Sequence, residues 1–144
     1  MILRGENRNK MLLKYNKTLT DNVLSVNLYC SNYSSDEVAA IKRYGSPKIS
    51  LDKTYTRSKT VVKHDKIDLY TAFTVTTKFT IPEVTEENET AITTSDLIAD
   101  ADEYIQDISE QITQEMIKVM TKFAADKDKL AAPSGSIVID DDPL

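Results

Sequence analysis

The chain has 144 residues and a formal net charge of −5, a length that favours one domain with its own hydrophobic core. Its single cysteine excludes an internal disulfide framework and is typical of proteins from a reducing compartment. The N-terminus has no apolar signal region, and no apolar run approaches the roughly 20 residues of a membrane span. We therefore expect a cytoplasmic protein.

Charge is distributed unevenly along the chain. Residues 1–82 contain 14 Lys and Arg against 7 Asp and Glu, giving +7, whereas residues 83–144 contain 4 against 16, giving −12. Eight of the ten aromatic residues also lie in the basic part. A basic segment rich in tyrosine favours a polyanionic partner, although charge can also be segregated in a protein that has none.

Alternating apolar and polar residues predict the β-strands. The alternation is weak over residues 11–19, clear over 23–30 and 49–55, and a short strand is expected at Val61 and Val62. The longest pattern covers 67–81, where six of the eight odd positions are large and apolar. A single strand of that length would span about 50 Å. We therefore expect strong twist, a bend near Ala72, or a second sheet that begins partway along it.

Two helices are predicted from capping residues and apolar spacing. Ser34 or Ser35 can cap a short helix over 35–44 that Gly45 ends. Ser95 is expected to cap a long helix over 95–130 that packs on the sheet or on another subunit. Its apolar stripe comprises Ile98, Ala101, Ile105, Ile108, Ile112, Met116, Val119 and Phe123.

These patterns together predict an α+β fold divided into five segments. They are a flexible N-terminal arm over 1–10, a β domain over 11–82, an acidic connector over 83–94, the long helix over 95–130 and a flexible acidic tail over 131–144. The arm and the long helix are the segments that we expect to support a homo-oligomer.

The residues that enzymes use are sparse in this chain. His64 is the only histidine and is interpreted as a surface residue, and Cys30 as a small buried hydrophobe. There is no Cys/His cluster for zinc and no Gly-rich phosphate loop, and the three aspartates of the tail lack the fixed geometry of a metal site. We expect no catalysis, no metal and no cofactor.

Binding of single-stranded DNA has better support. Proteins of this class combine a positive groove that follows the phosphates with aromatic side chains on which bases stack. The basic loop that begins at Lys53 leads directly into the polar face of the 67–81 strand. The candidate DNA-binding residues are Tyr29, Arg43, Tyr44, Lys53, Tyr55, Arg57, Lys59, Lys63, Tyr70 and Lys78.

The C-terminus resembles the acidic tail of bacterial single-stranded-DNA-binding proteins. In that family the tail recruits partner proteins and competes with DNA for the basic groove. The matching residues are Asp140, Asp141, Asp142, Pro143 and Leu144. The chain departs from the pattern because it ends in Leu instead of Phe, has no Ile before the proline and has a short linker.

The chain resembles the PrgE-type single-stranded-DNA-binding proteins of Gram-positive conjugative plasmids. The resemblance rests on its length, its basic β-rich part, its terminal helix and its tail. The resemblance implies an OB-like antiparallel β-barrel with a short inserted helix and a long C-terminal helix. It also implies DNA binding without sequence preference, oligomerisation and a role in conjugative transfer or plasmid DNA processing. The chain departs from typical members because it has no tryptophan, and its short helix follows the second strand instead of the third.

A second interpretation remains open. The chain is then a non-catalytic structural or assembly protein of a phage or mobile element that oligomerises through its arm and long helix. Neither interpretation decides between single-stranded and double-stranded DNA, and neither identifies a protein partner for the tail.

Overall fold

The computed structural model describes residues 10–71, 73–81, 91–130 and 135–139, with the helical backbone alone for 127–130. The chain is α+β, with antiparallel strands followed by a long C-terminal helix, as predicted. The elements in chain order are β1 Leu12–Thr20, β2 Val23–Ser31, α1 Ser35–Tyr44, β3 Lys48–Tyr55, β4 Thr60–Asp68, β5 Thr74–Thr80 and α2 Thr94–Leu130.

The strands form two antiparallel sheets. A three-stranded sheet has the order β1-β2-β5, and a two-stranded sheet consists of β3 and β4. Asp21 and Asn22 connect β1 to β2, both with positive φ of 49° and 64°. That backbone matches the twist of a two-residue hairpin. Among the described residues the two sheets do not close into a barrel.

The long strand predicted over 67–81 is divided between the two sheets. β4 ends at Asp68 and β5 begins at Thr74, so the second sheet begins partway along the pattern. The carboxylate of Asp68 accepts hydrogen bonds from the backbone N–H groups of Tyr70 at 3.0 Å and Thr71 at 2.9 Å. Asp residues bond their own backbone in this way where a chain turns. Ala72, the predicted bend, lies outside the described residues.

α1 is joined to the start of β1 through its capping residues. Ser34 accepts from the N–H of Glu37 at 3.1 Å, and its own N–H donates to the Glu37 carboxylate at 2.7 Å. The same carboxylate oxygen accepts the N–H of Met11 at 3.0 Å. Glu37 therefore accepts hydrogen bonds from the N-cap of α1 and from the residue that precedes β1, and so joins the helix to the sheet.

Thr93, and not Ser95 as predicted, caps α2. The Thr93 side chain accepts from the N–H of Asp96 at 3.3 Å, and the Asp96 carboxylate accepts the N–H of Thr93 at 2.8 Å. This reciprocal arrangement needs an acceptor three residues before Asp96, which Ser95 cannot provide. Neither α1 nor α2, the helices of the described ranges, is long and apolar enough to cross a membrane.

The hydrophobic core lies between the two sheets and α2. The helix contacts β2, β3, β5 and α1 of its own chain. Its buried face differs from the predicted stripe, since Leu97 and Tyr104 are fully buried whereas Ile98 is 42% exposed. The core residues of α2 are Leu97, Ala101, Tyr104, Ile108, Ile112 and Met116.

Candidate nucleic-acid interface

The basic hairpin, residues 53–63, comprises the end of β3, the turn and the start of β4, and faces the acidic first half of α2. The Lys53 ammonium lies 2.8 Å from the carboxylates of both Glu103 and Asp107. The hydrogen bonds that Lys53 donates, first to Asp107 and then to Glu103, raise the pKa of Lys53, and the bond from Lys53 lowers the pKa of Glu103. The charge of Lys53 is therefore compensated within the chain.

Arg57 is paired in the same way, one turn earlier on α2. Its guanidinium lies 3.1 Å from Glu103 and 3.3 Å from Asp100. Asp100 is fully buried, and both the backbone N–H and the hydroxyl of Ser58 donate to it at 2.6 Å. Burying a carboxylate is tolerated only where such donors surround it.

Tyr55, predicted to stack on bases, belongs to the core. It is 1% exposed, its hydroxyl donates to Asp107 at 2.8 Å, and its ring packs edge-on against Phe79 and Tyr104. Burial, more than the contact with Asp107, raises the pKa of Tyr55. The buried ring of Tyr55 is therefore not accessible to a base in this structure. Lys53 and Arg57 have side chains that are 38% and 51% exposed, so their DNA-binding roles stay predictions, although carboxylates of α2 compensate both charges.

The remaining lysines of the basic hairpin lie on the surface. Lys59 is exposed, and Lys63 is 75% exposed with the Asp52 carboxylate 4.0 Å away. A contact at that distance between two exposed side chains compensates little charge.

Arg43 and Tyr44, at the end of α1, are paired with the last part of α2. The Tyr44 hydroxyl donates to the Asp126 carboxylate, and Arg43 lies 3.4 Å from the same group. Arg43 also lies over the Tyr44 ring, 5.6 Å from its centroid. The two side chains thus join α1 to α2 and do not extend the basic hairpin.

The solvent-facing side of the three-stranded sheet, here called the outer face, has a different composition. The strand register places residues opposite one another in rows across the sheet, one row being Lys14, Tyr29 and Thr74 and another Thr18, Ser25 and Lys78. The outer face consists of Leu12, Lys14, Asn16, Thr18, Thr20, Val23, Ser25, Asn27, Tyr29, Ser31, Thr74, Thr76, Lys78 and Thr80.

No acidic side chain lies on the outer face, within the strand residues that the structure describes. Lys14 and Lys78 are exposed, and Tyr29, opposite Lys14 on the central strand, is 38% exposed. The two lysines are four residues apart in register and two strands apart, about 13 Å along the strands and about 10 Å across them. Hydroxyl and amide groups occupy most of the remaining positions and can donate hydrogen bonds to phosphate or sugar oxygens.

Tyr70 lies beyond the end of the sheet where β2 ends and β5 begins. It is 37% exposed, and its ring packs edge-on against Tyr33 with 5.1 Å between ring centroids. The Tyr33 hydroxyl donates to the carbonyl of Leu69 at 3.0 Å. Tyr70 therefore has a partly accessible ring that packs on Tyr33.

His64 is part of a polar cluster inside the protein and is not a simple surface residue, which corrects the prediction. Its Nε2 lies 2.7 Å from the Tyr104 hydroxyl, and that hydroxyl lies 2.8 Å from the hydroxyl of Thr77. Burial lowers the pKa of His64. The cluster links β4, β5 and α2.

Cys30 faces the core side of β2, as predicted. It is partly buried, and burial raises the pKa of its thiol to about 11. A thiol that is rarely ionised is a poor nucleophile. Among the described residues, no three His, Cys, Asp or Glu side chains are grouped as metal ligands would be.

The structure thus brings together only some of the predicted site residues. Tyr29 and Lys78 share the outer face, and Lys14, which the sequence interpretation missed, completes it. The signal for Lys14 was its place in the weak alternation of 11–19, where it falls on the polar side. The tail residues Asp140 to Leu144 lie outside the described part of the chain.

Comparisons of the chain with protein-family models, curated proteins and solved structures found no match.

Proposed function

We propose that the protein binds single-stranded DNA without sequence preference, through the outer face of its three-stranded sheet. The observation that carries the proposal is a broad exposed face with Lys14, Tyr29 and Lys78, to which the described strands contribute no acidic side chain, in a chain whose net charge is −5. An uncompensated basic face on an acidic protein is where a phosphate backbone meets the least repulsion.

The chemistry of the outer face suits an extended strand better than a duplex. Tyr29 lies directly opposite Lys14 on the neighbouring strand and offers a ring on which an unpaired base can stack. Lysine ammonium groups act as point charges on phosphates and do not read base edges as a planar guanidinium does. Binding would therefore depend on charge and stacking, with little discrimination between bases.

The basic hairpin is less suited to the same role, although it holds more cations. Lys53 and Arg57 are already paired with carboxylates of α2 at 2.8 to 3.3 Å. A phosphate would have to replace those carboxylates, and the gain in binding free energy would be offset by the acids left unpaired.

The finer parts of the proposal rest on the resemblance to PrgE-type proteins. They are an OB-like arrangement, in which the contact of β4 with β5 would join the two sheets, and a role in conjugative transfer or plasmid DNA processing. The acidic tail would recruit a protein partner or compete with DNA for the lysines of the outer face.

The test is a salt titration of binding to a labelled single strand. Each phosphate contact adds about 0.7 to the slope of log affinity against log salt for single strands. We expect the double variant Lys14→Ala/Lys78→Ala to bind more weakly at low salt and to lose roughly 1.4 from the slope.

The matched control is Lys42→Ala/Lys122→Ala, which removes two exposed lysines from α1 and α2. Affinity unchanged by the outer-face variant, or reduced equally by both variants, would contradict the proposed surface. No binding by the wild-type protein at low salt would contradict the function itself.

A second candidate function is that of an assembly protein, and the exposure of β1 favours it. Leu12, Tyr15 and Leu19 are 46%, 56% and 47% exposed on this one strand. Light scattering of the wild-type protein, with and without single-stranded DNA, separates the two candidates. Large assemblies that form without DNA, in a protein that binds none, would favour assembly.

A further inference from the structure

β1 is an edge strand whose outer side is open in the described part of the chain. Its only paired neighbour there is β2, whereas the opposite edge of the sheet, β5, contacts β4. An edge strand presents unpaired N–H and C=O groups, and another strand can pair with them. β1 has nine residues, long enough for a complete ladder.

The side chains of β1 are unusually apolar for a strand so exposed. Leu13, Tyr15, Lys17 and Leu19 share the core side of the sheet, because the register sets them opposite Cys30, Leu28, Val26 and Leu24. Tyr15 and Leu19 nevertheless remain about half exposed. Their apolar area is available to a partner.

We propose that two copies of the protein pair through β1, antiparallel and centred on Asn16. In that register Leu13 of one copy lies opposite Leu19 of the other, and Tyr15 lies opposite Lys17. Lys14 lies opposite Thr18. Apolar pairs and lysine–tyrosine pairs stabilise neighbouring strands, and within one strand Lys17 already lies 5.8 Å from the centroid of the Tyr15 ring.

Neighbouring symmetric registers are less favourable. Centring on Lys17 sets the two Lys17 side chains opposite each other, and centring between Tyr15 and Asn16 sets Lys14 opposite Lys17. Like charges directly opposite one another destabilise a strand pair. Centring on Tyr15 avoids this but sets Leu13 opposite Lys17. The register centred on Asn16 also keeps the core sides of both copies on the same side of the joined sheet.

Lysines on an edge can also protect it from pairing, and β1 has two of them. Lys17, however, is held 2.7 Å from the carboxylate of Asp102 on α2, so its charge is partly compensated before a second copy arrives. Lys14 would meet a hydroxyl-bearing residue and not a cation. The charges therefore permit the register centred on Asn16.

Pairing would make one six-stranded sheet with a continuous outer face. It would place two sets of Lys14, Tyr29 and Lys78 on the same side, related by a two-fold axis through Asn16. The dimer does not depend on DNA binding. Only the use of this doubled face by a longer strand rests on the proposed function.

Disulfide trapping tests the register. In a Cys30→Ala background, Asn16→Cys places two thiols on the axis, with a Cα separation of about 4.5 to 5.5 Å that a disulfide can span. We expect rapid oxidation to a covalent dimer. Thr18→Cys is the matched control, because its copy would lie about 13 Å away along the strands.

Charge reversal tests the same contact without a crosslink. Thr18→Lys sets a lysine opposite Lys14 and should weaken the dimer at least tenfold in sedimentation equilibrium. Adding Lys14→Glu restores an opposite-charge pair and should recover association. Circular dichroism shows whether each variant is folded, and the mass is measured without DNA so that loss of DNA binding cannot be mistaken for loss of the dimer.

Three results would overturn the inference. They are a monomer at all protein concentrations, equal crosslinking of Asn16→Cys and Thr18→Cys, and a dimer that Thr18→Lys leaves intact. A dimer that is lost only when residues 1–9 or 136–144 are deleted would assign the contact to a terminal segment instead.

Discussion

Ser58 donates two hydrogen bonds of 2.6 Å, one from its backbone N–H and one from its hydroxyl, to the same carboxylate oxygen of Asp100. Arg57 approaches the other oxygen at 3.3 Å. Asp100 is fully buried, and this contact fixes the basic hairpin to α2. Arg57 of the hairpin thus stabilises the fold through its contacts with α2, and a ligand would compete with these carboxylates for it.

Asp100→Ala should lower the free energy of unfolding by about 2–4 kcal/mol, because it leaves a buried N–H and hydroxyl without an acceptor. Urea unfolding followed by circular dichroism measures the change. Asp102→Ala is the control, since Asp102 forms an exposed ion pair with Lys17 and should cost less than about 1 kcal/mol. Equal losses of unfolding free energy for the two variants would show that the buried contact of Asp100 stabilises the protein no more than the exposed ion pair of Asp102.

Tyr29→Ala should weaken binding of single-stranded DNA by about 1–3 kcal/mol, the usual contribution of a stacked base. Tyr55→Phe should leave the affinity unchanged and should lower stability by about 1 kcal/mol, because it removes only the hydrogen bond to Asp107. Fluorescence anisotropy and urea unfolding separate the two effects. A loss of affinity in Tyr55→Phe with none in Tyr29→Ala would return the site to the basic hairpin.

Stability should fall as the pH is lowered through the titration range of His64. Burial lowers the folded-state pKa of His64 below its ordinary value of 6.5, so the unfolded chain binds the proton more readily. Neutral His64 contributes fully to the free energy of unfolding above the pKa of the unfolded chain. This contribution is lost as the pH falls from there through the lower pKa of the folded protein.

Urea unfolding of the wild type and of His64→Gln at about pH 7.5 and about pH 5.5 measures this linkage. The wild type should lose more stability than the variant between the two values. The same pH dependence in both proteins would assign the effect to other groups.

Glu37→Ala should cost about 2 kcal/mol of unfolding free energy, because it removes the acceptor of two backbone N–H groups, those of Ser34 and Met11. Asp36→Ala, at an exposed neighbouring position of the same helical turn, should cost less than about 1 kcal/mol. Thermal and urea unfolding compare the two. A larger effect at Asp36 would contradict the role assigned to Glu37.

Cys30 should be alkylated slowly in the folded protein. With its pKa raised to about 11 by burial, only about one thiol in a thousand is ionised at pH 8. Unfolding in urea should therefore accelerate labelling by iodoacetamide by roughly two orders of magnitude. Comparable rates in buffer and in urea would show that the thiol is accessible and ionised in the native state.

Local patterns in the sequence predicted most of the elements. The alternation of β2 and β3 and the capping residues of α1 are local signals, so those elements lie where they were expected. The division of the long strand depends on the side chain of Asp68 bonding its own turn, which alternation does not record. On α2 the predicted stripe was displaced at its start, because Ile98 is apolar but faces solvent while Tyr104 is amphipathic and buried.

The candidate site was harder to predict, because charge compensation depends on tertiary contacts. Lys53 and Arg57 look available in the sequence, and their partners Glu103 and Asp107 lie about fifty residues away on another element. Lys14 looked unimportant because its strand is only weakly patterned. The register of three strands, which the sequence does not reveal, places it beside Tyr29.

The length of α2 also affects how the molecule moves through solution. Its 37 residues form a rod about 55 Å long. A compact domain of this size has a radius of gyration of about 15 Å, which corresponds to a sphere only about 40 Å across. A monomer with such a helix has a larger Stokes radius than a sphere of equal mass and leaves a sizing column early. Its association state is therefore to be judged from molar mass and not from elution volume.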